Sequence, residues 1–252
     1  MRKGFDKKIG LLAIWLVLLG GLLVWINHSA PPPPPTPPHP NLPHPDPATV
    51  AAQWPQVVAH AAAPARGNPN ARYTIAEFGD FQCPQCGKAR PLLEKMLAQY
   101  PAQVNLIFIH RPFPNLHEWA LPAGQASEIA AAQGKFWPMY DVLYSHQDDL
   151  ETGFYGDYAA KAGLNKDQFE AAFKAGTGKD KVAASSSFAD SLKVQLTPTM
   201  MVHDNVAHTV TIYVGMDTKM NATSGTPFPG IDQLVAHPPW VKTAQALTSP
   251  IP

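Results

Sequence analysis

Residues 31–47, PPPPPTPPHPNLPHPDP, divide this 252-residue chain before any other feature is weighed. Each proline fixes φ and lacks an N–H, so the stretch enters neither a helix nor a sheet. It is expected to extend as a polyproline II spacer at about 3.1 Å per residue, roughly 50 Å if straight. Its use as a stalk outweighs a docking motif for another protein. It also outweighs a metal site at His39 and His44, two imidazoles on a floppy segment. One apolar run precedes the prolines, and the residues after them are enough for a single domain.

Ahead of the prolines, Arg2, Lys3, Lys7 and Lys8 lead into a charge-free segment at 9–26. At about 1.5 Å per residue it reaches roughly 27 Å, close to a bilayer's hydrocarbon thickness. No Lys or Arg follows until Arg66, so the positive-inside bias places the N-terminus in the cytoplasm. The expected organisation is a cytoplasmic basic tail at 1–8 and a single-pass transmembrane signal-anchor at 9–26. A Pro/Ala-rich linker at 27–70 comes next, then a domain at 71–252 on the extracytoplasmic (periplasmic or extracellular) side of the cytoplasmic membrane. A cleaved signal peptide is the rival, but Asn27-His28-Ser29-Ala30 puts a histidine where a small residue is wanted. Either reading exports the domain to a compartment that permits disulfides. The formal net charge of zero argues against nucleic acid as a partner.

Within the domain, 72–78 (RYTIAEF) reads as a strand, and 90–100 carries Leu92, Leu93, Met96, Leu97 and Tyr100 at helical spacing. The segment 104–110 (VNLIFIH) reads as a buried strand, completing a βαβ unit whose crossover makes its strands parallel. A helical block is expected over about 116–192. It contains helices at 126–133, 136–146, 155–162 and 166–174, with Asn165 as an N-cap and Gly134, Gly163 and Gly176 as stops. Strands at 199–203 and 208–214, joined by an Asp204-Asn205 turn, and a short helix at 231–236 complete the order. Ala48 to Ala63 suits a short helix, and Gly67-Asn68-Pro69-Asn70 is a turn cluster at which the compact domain is expected to start.

The only two cysteines, Cys83 and Cys86, sit in EFGDFQCPQCGK directly after the first strand. A structural disulfide, half of a metal site and a redox pair compete for them. Structural zinc needs about four ligands. There is no second cysteine pair, and His110, His117, His203 and His208 would have to converge by folding. A disulfide closing so small a loop stabilises weakly. A redox pair is favoured by position. A thiol at a helix start faces unpaired backbone N–H groups and the positive end of the dipole, which favour the reactive thiolate. Pro84 suits the first helical position, and Cys86 one turn on is close enough to form a disulfide with Cys83.

The segment EFGDFQCPQC resembles the active site of DsbA-like thiol-disulfide oxidoreductases of the thioredoxin superfamily, in their membrane-anchored exported branch. Thr197-Pro198-Thr199 before a strand is similar to that family's cis-proline loop. Lys135-Phe136-Trp137 with Met139-Tyr140 and Leu143 resembles a helix of its helical insertion. The resemblance spans roughly 72–236 and implies an α/β thioredoxin-like fold with a helical insertion, preceded here by a transmembrane helix and Pro-rich linker. It further implies Cys83 as the exposed attacking cysteine, Cys86 as the buried resolving one, and Pro198 in the cis form. Thr197 would pair its backbone with substrate, beside Pro84 and Gln85, and Glu77 would be a buried proton acceptor for Cys86. A surface carboxylate on an edge strand is the competing reading of Glu77, and a plain turn residue or cap that of Asp80. The implied activity is disulfide introduction into exported proteins, with a membrane redox partner resetting the Cys83–Cys86 disulfide and no other cofactor.

Three features depart from the family pattern. Gln85 stands where the most strongly oxidising members carry histidine, so the Cys83 pKa is expected between those of DsbA and thioredoxin, about 3.5 and 7. Thr197 before Pro198 also occurs in reductases and isomerases, which leaves an exported reductase as the alternative direction. Residues 217–230 have no family counterpart. A copper-handling protein on the same fold is a further alternative, since Met200, Met201, His203, His208, Met216 and Met220 cluster in sequence and soft ligands select Cu(I). Core filling is the plainer reading of those methionines. Phe78, Phe81, Phe136 and Trp137 are expected in the core, and Pro112-Phe113-Pro114 in a plain loop.

Overall fold

The structure is a computed structural model that describes residues 43–152, 154–216 and 231–239. The basic tail, the apolar segment at 9–26 and the stretch 217–230 lie outside these residues. No helix among the described residues is long and apolar enough to cross a membrane.

Strands β1 (Arg66–Gly67), β2 (Tyr73–Gly79), β3 (Val104–His110), β4 (Thr199–Asp204) and β5 (Thr209–Val214) form one sheet in the order β1-β3-β2-β4-β5. As expected of a βαβ unit, β2 and β3 are parallel, in a register that aligns Tyr73 with Val104 and Gly79 with His110. The other pairings are antiparallel. Strand β2 is therefore central, and all of its residues are buried. Between β2 and β3 runs α3 (Pro84–Gln99), which starts at the cysteine motif and continues through Pro91. It packs Ala89, Leu93 and Met96 onto the face that carries Tyr73, Ile75 and Leu106.

The opposite face of the sheet corrects the linker expectation for 27–70. Helices α1 (Pro47–Ala52) and α2 (Trp54–Ala59) are part of the fold, and β1 adds an edge strand beside β3. Asp46 caps α1, accepting from the Thr49 N–H at 2.8 Å, and Pro47 opens it. Val50, Trp54 and Val57 then fall on one side and pack against Ala76, Phe78, Ile107, Met201 and Ile212. The Trp54 ring stacks on His203, with centroids 4.3 Å apart. These three large residues recur at helical spacing among alanines, a signal that composition alone hides. Trp54→Ala is expected to cost about 3–5 kcal/mol, read from the urea midpoint. A linker residue would leave that midpoint unchanged.

The block between β3 and β4 comprises α4 (Ala120–Ala131), α5 (Phe136–Ser145), a 3₁₀ turn (Gln147–Thr152), α6 (Tyr155–Lys161), α7 (Lys166–Lys174) and α8 (Lys179–Ser191). Asn165 caps α7 by accepting from the Gln168 N–H. Gly134, Gly163 and Gly176 have positive φ at helix ends, as the sequence suggests. Two differences stand out. Helix α4 begins at Ala120 rather than 126, because its first turns are small residues whose burial no periodicity marks. Helix α8 is absent from the sequence reading. Its buried side, Val182, Ser185 and Ala189, is too weakly apolar to register.

Phe78, Phe81 and Phe136 lie in the core, while Trp137 is only partly buried. Met200 and Met201 point to opposite faces of β4 and join separate core clusters, so adjacent methionines do not converge on a metal. Of the histidines weighed for zinc, only His203 and His208 lie near each other, with ring centroids 6.0 Å apart. His110 pairs with Glu128 at 3.0 Å, His117 with Asp80 at 2.7 Å, and His203 stacks on Trp54.

Candidate active site

Where β2 ends at Gly79, the chain turns through Asp80–Gln82 and enters α3 with Cys83 at its N-cap. Asp80 organises this turn. Its carboxylate is buried and accepts from the backbone N–H groups of Gln82 at 2.8 Å and Phe113 at 3.0 Å. Its backbone carbonyl accepts from the Cys83 N–H at 3.1 Å. The loop containing Pro112, Phe113 and Pro114 is thus tied to the cysteine turn.

Gln147, which the sequence reading did not single out, clamps the turn from the far side. Its Nε2 donates to the carbonyls of Phe81 at 2.7 Å and Cys83 at 2.9 Å. A Cβ at Gly87 would collide with the Gln147 side chain, so the glycine after the second cysteine leaves room for this clamp. No local pattern marks Gln147, because its two acceptors lie more than sixty residues earlier in the chain.

The Thr197–Pro198 peptide bond is cis, and its loop meets the cysteine turn. The Cys83 thiol donates to the Thr197 carbonyl at 3.5 Å, while the Pro198 carbonyl accepts from Gly215 at 2.8 Å. Both cysteines are free thiols. The expectation of an exposed Cys83 needs correction: it is 6% exposed, with Thr197 against it, and Cys86 is wholly buried. Pro84 is exposed, Gln85 and Thr197 are half-buried, and Pro198 is buried.

The electrostatics separate the two thiols. A hydrogen bond from the Cys86 thiol lowers the Cys83 pKa to about 6 against the opposing effect of burial. Thr197 and the backbone N–H groups of Cys86 and Gln85 add to the lowering. Burial drives Cys86 the other way, well above its ordinary value, and its bond to Cys83 reinforces this. One thiol is therefore ready to be a nucleophile and the other is held as an acid.

Glu77 is not a surface carboxylate on an edge strand. It lies wholly buried on central β2, and desolvation raises its pKa to about 8. The Tyr140 hydroxyl donates to its Oε2 at 2.8 Å, whereas Oε1 has no hydrogen-bond partner. On α5, Tyr140 falls in the stripe with Phe136, Met139 and Leu143 that the sequence shows, whereas nothing in the sequence singles out Tyr144. Both tyrosines are deeply buried, and burial holds both phenols in the neutral form. Phe81 and Phe108 wall the chamber, with the Phe81 ring 5.0 Å from that of Tyr144 and the Phe108 ring 5.6 Å from that of Tyr140.

The sequence matches the family model described as Thioredoxin over residues 60–217. Among solved structures, that of BdbD from Bacillus subtilis in its oxidised form is 25% identical. It matches with a TM-score of 0.52 over 57% of this chain and 82% of that one. The catalytic domain of ScsC from Proteus mirabilis, at 22% identity and a TM-score of 0.53, covers 75% of this chain and 98% of that one, and shows the shared fold. Curated relatives include the Na(+)/H(+) antiporter NhaA 3 of Salinispora tropica, 36% identical over 143 residues. That match takes in 57% of this chain, which spans only 22% of the relative's length.

Proposed function

We propose, from the premise that this chain belongs to the thioredoxin family, that it is a DsbA-like thiol-disulfide oxidoreductase acting through Cys83 and Cys86. The observation that carries this reading is the Cys83 thiol at the start of α3, its pKa lowered to about 6, facing the cis Thr197–Pro198 loop. In this reading the cysteine pair itself carries the two electrons. In the oxidising direction a substrate thiolate attacks Cys83 Sγ of the disulfide. The Cys83–Cys86 bond breaks, a substrate–Cys83 bond forms, and Cys86 leaves as a thiolate that takes the proton of Glu77. A second substrate thiolate then attacks the substrate sulfur of the mixed disulfide and releases Cys83 as thiolate. The substrate has lost two electrons and the enzyme is left as the dithiol.

Oxidation is the favoured direction because a stabilised Cys83 thiolate stabilises the reduced enzyme, which makes its disulfide a stronger oxidant. Pro84, Gln85 and Thr197 stand on the solvent side, where an extended substrate would pair with the Thr197 backbone. Substrates are exported proteins bearing thiols. A membrane redox partner accepts the electrons, and the segment 9–26 tethers the domain on the extracytoplasmic side.

The full-length chain equilibrated against glutathione is expected to give a potential of about −180 to −120 mV. A value of about −230 mV or lower would make it an exported reductase instead. Failure to exchange with any dithiol or disulfide would remove the redox reading altogether.

A further inference from the structure

We infer that Tyr140 and Tyr144 are positioning residues that confine the exchangeable proton of Glu77 to Oε1 and direct it to Cys86. The inference rests on the proposed exchange chemistry and concerns how that site handles its proton. A phenol carries one hydrogen, and that of Tyr140 is donated to Oε2 across 2.8 Å. In a neutral carboxyl the carbonyl oxygen is the better acceptor, so a phenol hydrogen on Oε2 favours protonation of the other oxygen. The proton of neutral Glu77 therefore sits on Oε1, the oxygen without a partner.

The Tyr144 hydroxyl is a second buried group with no hydrogen bond of its own, yet it acts on the Glu77 carboxyl. Two orphaned polar atoms in one apolar chamber are costly unless they serve each other or a shared water. Space beside Oε1 is kept by Gly79, where a Cβ would lie 3.2 Å from that oxygen and strike the Phe108 ring. Cys86 lies in the same buried cluster as Phe81, Phe108, Tyr140 and Tyr144 and interacts electrostatically with Glu77 and Tyr144.

The placement of α5 is itself enforced. Asp141, next to Tyr140, bonds Arg66 of β1 at 3.0 Å and Arg90 of α3 at 3.2 Å, which ties the tyrosine helix to the cysteine helix. The ionisable groups acting in the chamber are Cys83, Cys86 and Arg90 from α3, Asp80 from the turn, and the two tyrosines from α5.

When the Cys83–Cys86 bond is cleaved at Cys83, the Oε1 proton passes to the Cys86 thiolate, leaving a Glu77 carboxylate and a Cys86 thiol. In the reverse sense the carboxylate takes that proton back as Cys86 attacks. The test compares the full-length wild type with Tyr140→Phe, Tyr144→Phe and Glu77→Gln. Reduction of the disulfide by dithiothreitol is followed over about pH 5–9, with the ultraviolet absorbance of the Cys83 thiolate read in parallel. Glu77→Gln should remove one limb of the pH profile. Tyr140→Phe should move that limb upward by about one unit, since the carboxylate loses its donor. Tyr144→Phe should slow the Glu77-dependent rate about tenfold without altering the thiolate absorbance.

A limb that stays in place in Tyr140→Phe, or an unchanged rate in Tyr144→Phe, overturns the inference while leaving the exchange chemistry intact. A wild type that is not reduced at all would instead overturn the exchange reading. Tyr144→Phe removes an unbonded hydroxyl and keeps the ring, so it carries the test alone if Tyr140→Phe does not fold.

Discussion

Cys83→Ser is expected to reduce exchange to the uncatalysed rate, whereas Cys86→Ser, which forms no internal disulfide, still attacks a disulfide-bearing substrate through Cys83, releases one substrate thiolate and accumulates the mixed disulfide. The asymmetry stems from the opposite pKa shifts of the two thiols. With its pKa lowered to about 6, Cys83 is about nine-tenths thiolate at pH 7. An ordinary cysteine at about 8.5 is only about 3% thiolate there. Cys86 is pushed upward by burial and is held as thiol, so it attacks only after losing a proton to a neighbour. A serine at position 83 leaves a buried thiol that substrate does not reach, because Cys86 is wholly inaccessible. A serine at position 86 leaves the nucleophile but nothing to resolve the bond it makes. Cys86→Ala, by contrast, removes the hydrogen bond that contributes most to lowering Cys83, so the alkylation profile of that variant should shift upward in pH. Mass spectrometry of the trapped species and the pH dependence of alkylation check both points. Equal activity of the two variants would remove the division of roles.

Glu77→Gln is expected to change how stability depends on pH. The folded state holds the Glu77 proton up to a pKa of about 8, against an ordinary value of 4.5. Between those values the native state binds more protons than the unfolded one, so this group makes stability fall as pH rises. Its penalty is absent below about pH 4.5 and complete above about pH 8, reaching roughly 5 kcal/mol. Cys83 acts oppositely. Its folded pKa, lowered from 9.0 to about 6, adds stability as pH rises through that window and loses it as pH falls. The two contributions offset each other between about pH 6 and 8, which would hide the Glu77 effect in the wild type alone. The difference between Glu77→Gln and wild type isolates it. The variant should gain increasingly in urea midpoint from about pH 5 to pH 8. Gln retains an oxygen that accepts from Tyr140, so loss of that bond does not confuse the comparison. A constant difference across the range would mean that Glu77 is ionised throughout.

Much of the chemistry was legible locally. Cys83 and Cys86 at a helix start, Pro84 at the first helical position and Thr197-Pro198 before a strand are all short-range patterns, because backbone N–H groups and φ preferences act over a few residues. The strands β2 and β3 and the glycine helix stops were readable for the same reason. The segment 47–59 was not assigned to the domain, since its apolar spacing of Val50, Trp54 and Val57 is embedded in alanine and comes after a proline run. Helix α8 is not legible because its buried side, Val182, Ser185 and Ala189, carries a single large apolar residue, and the apolar surface around Ala189 comes from distant segments such as Val50, Trp54 and Phe78.

The position of the cysteine pair, the helix that starts at it and the strand–helix–strand unit around it follow from the sequence alone. Only the tertiary structure decided that Glu77 is a buried acid and not a surface carboxylate. Its burial depends on β4 pairing with β2, a contact between residues more than a hundred positions apart, which turns a strand that could lie at an edge into the centre of the sheet. The same long-range closure brings Thr197 to Cys83, Gln147 to the Cys83 carbonyl and Tyr140 to Glu77. Desolvation and hydrogen bonding shift a pKa through neighbours in space, so the proton chemistry of this site exists only once the sheet and the helical insertion have closed around it.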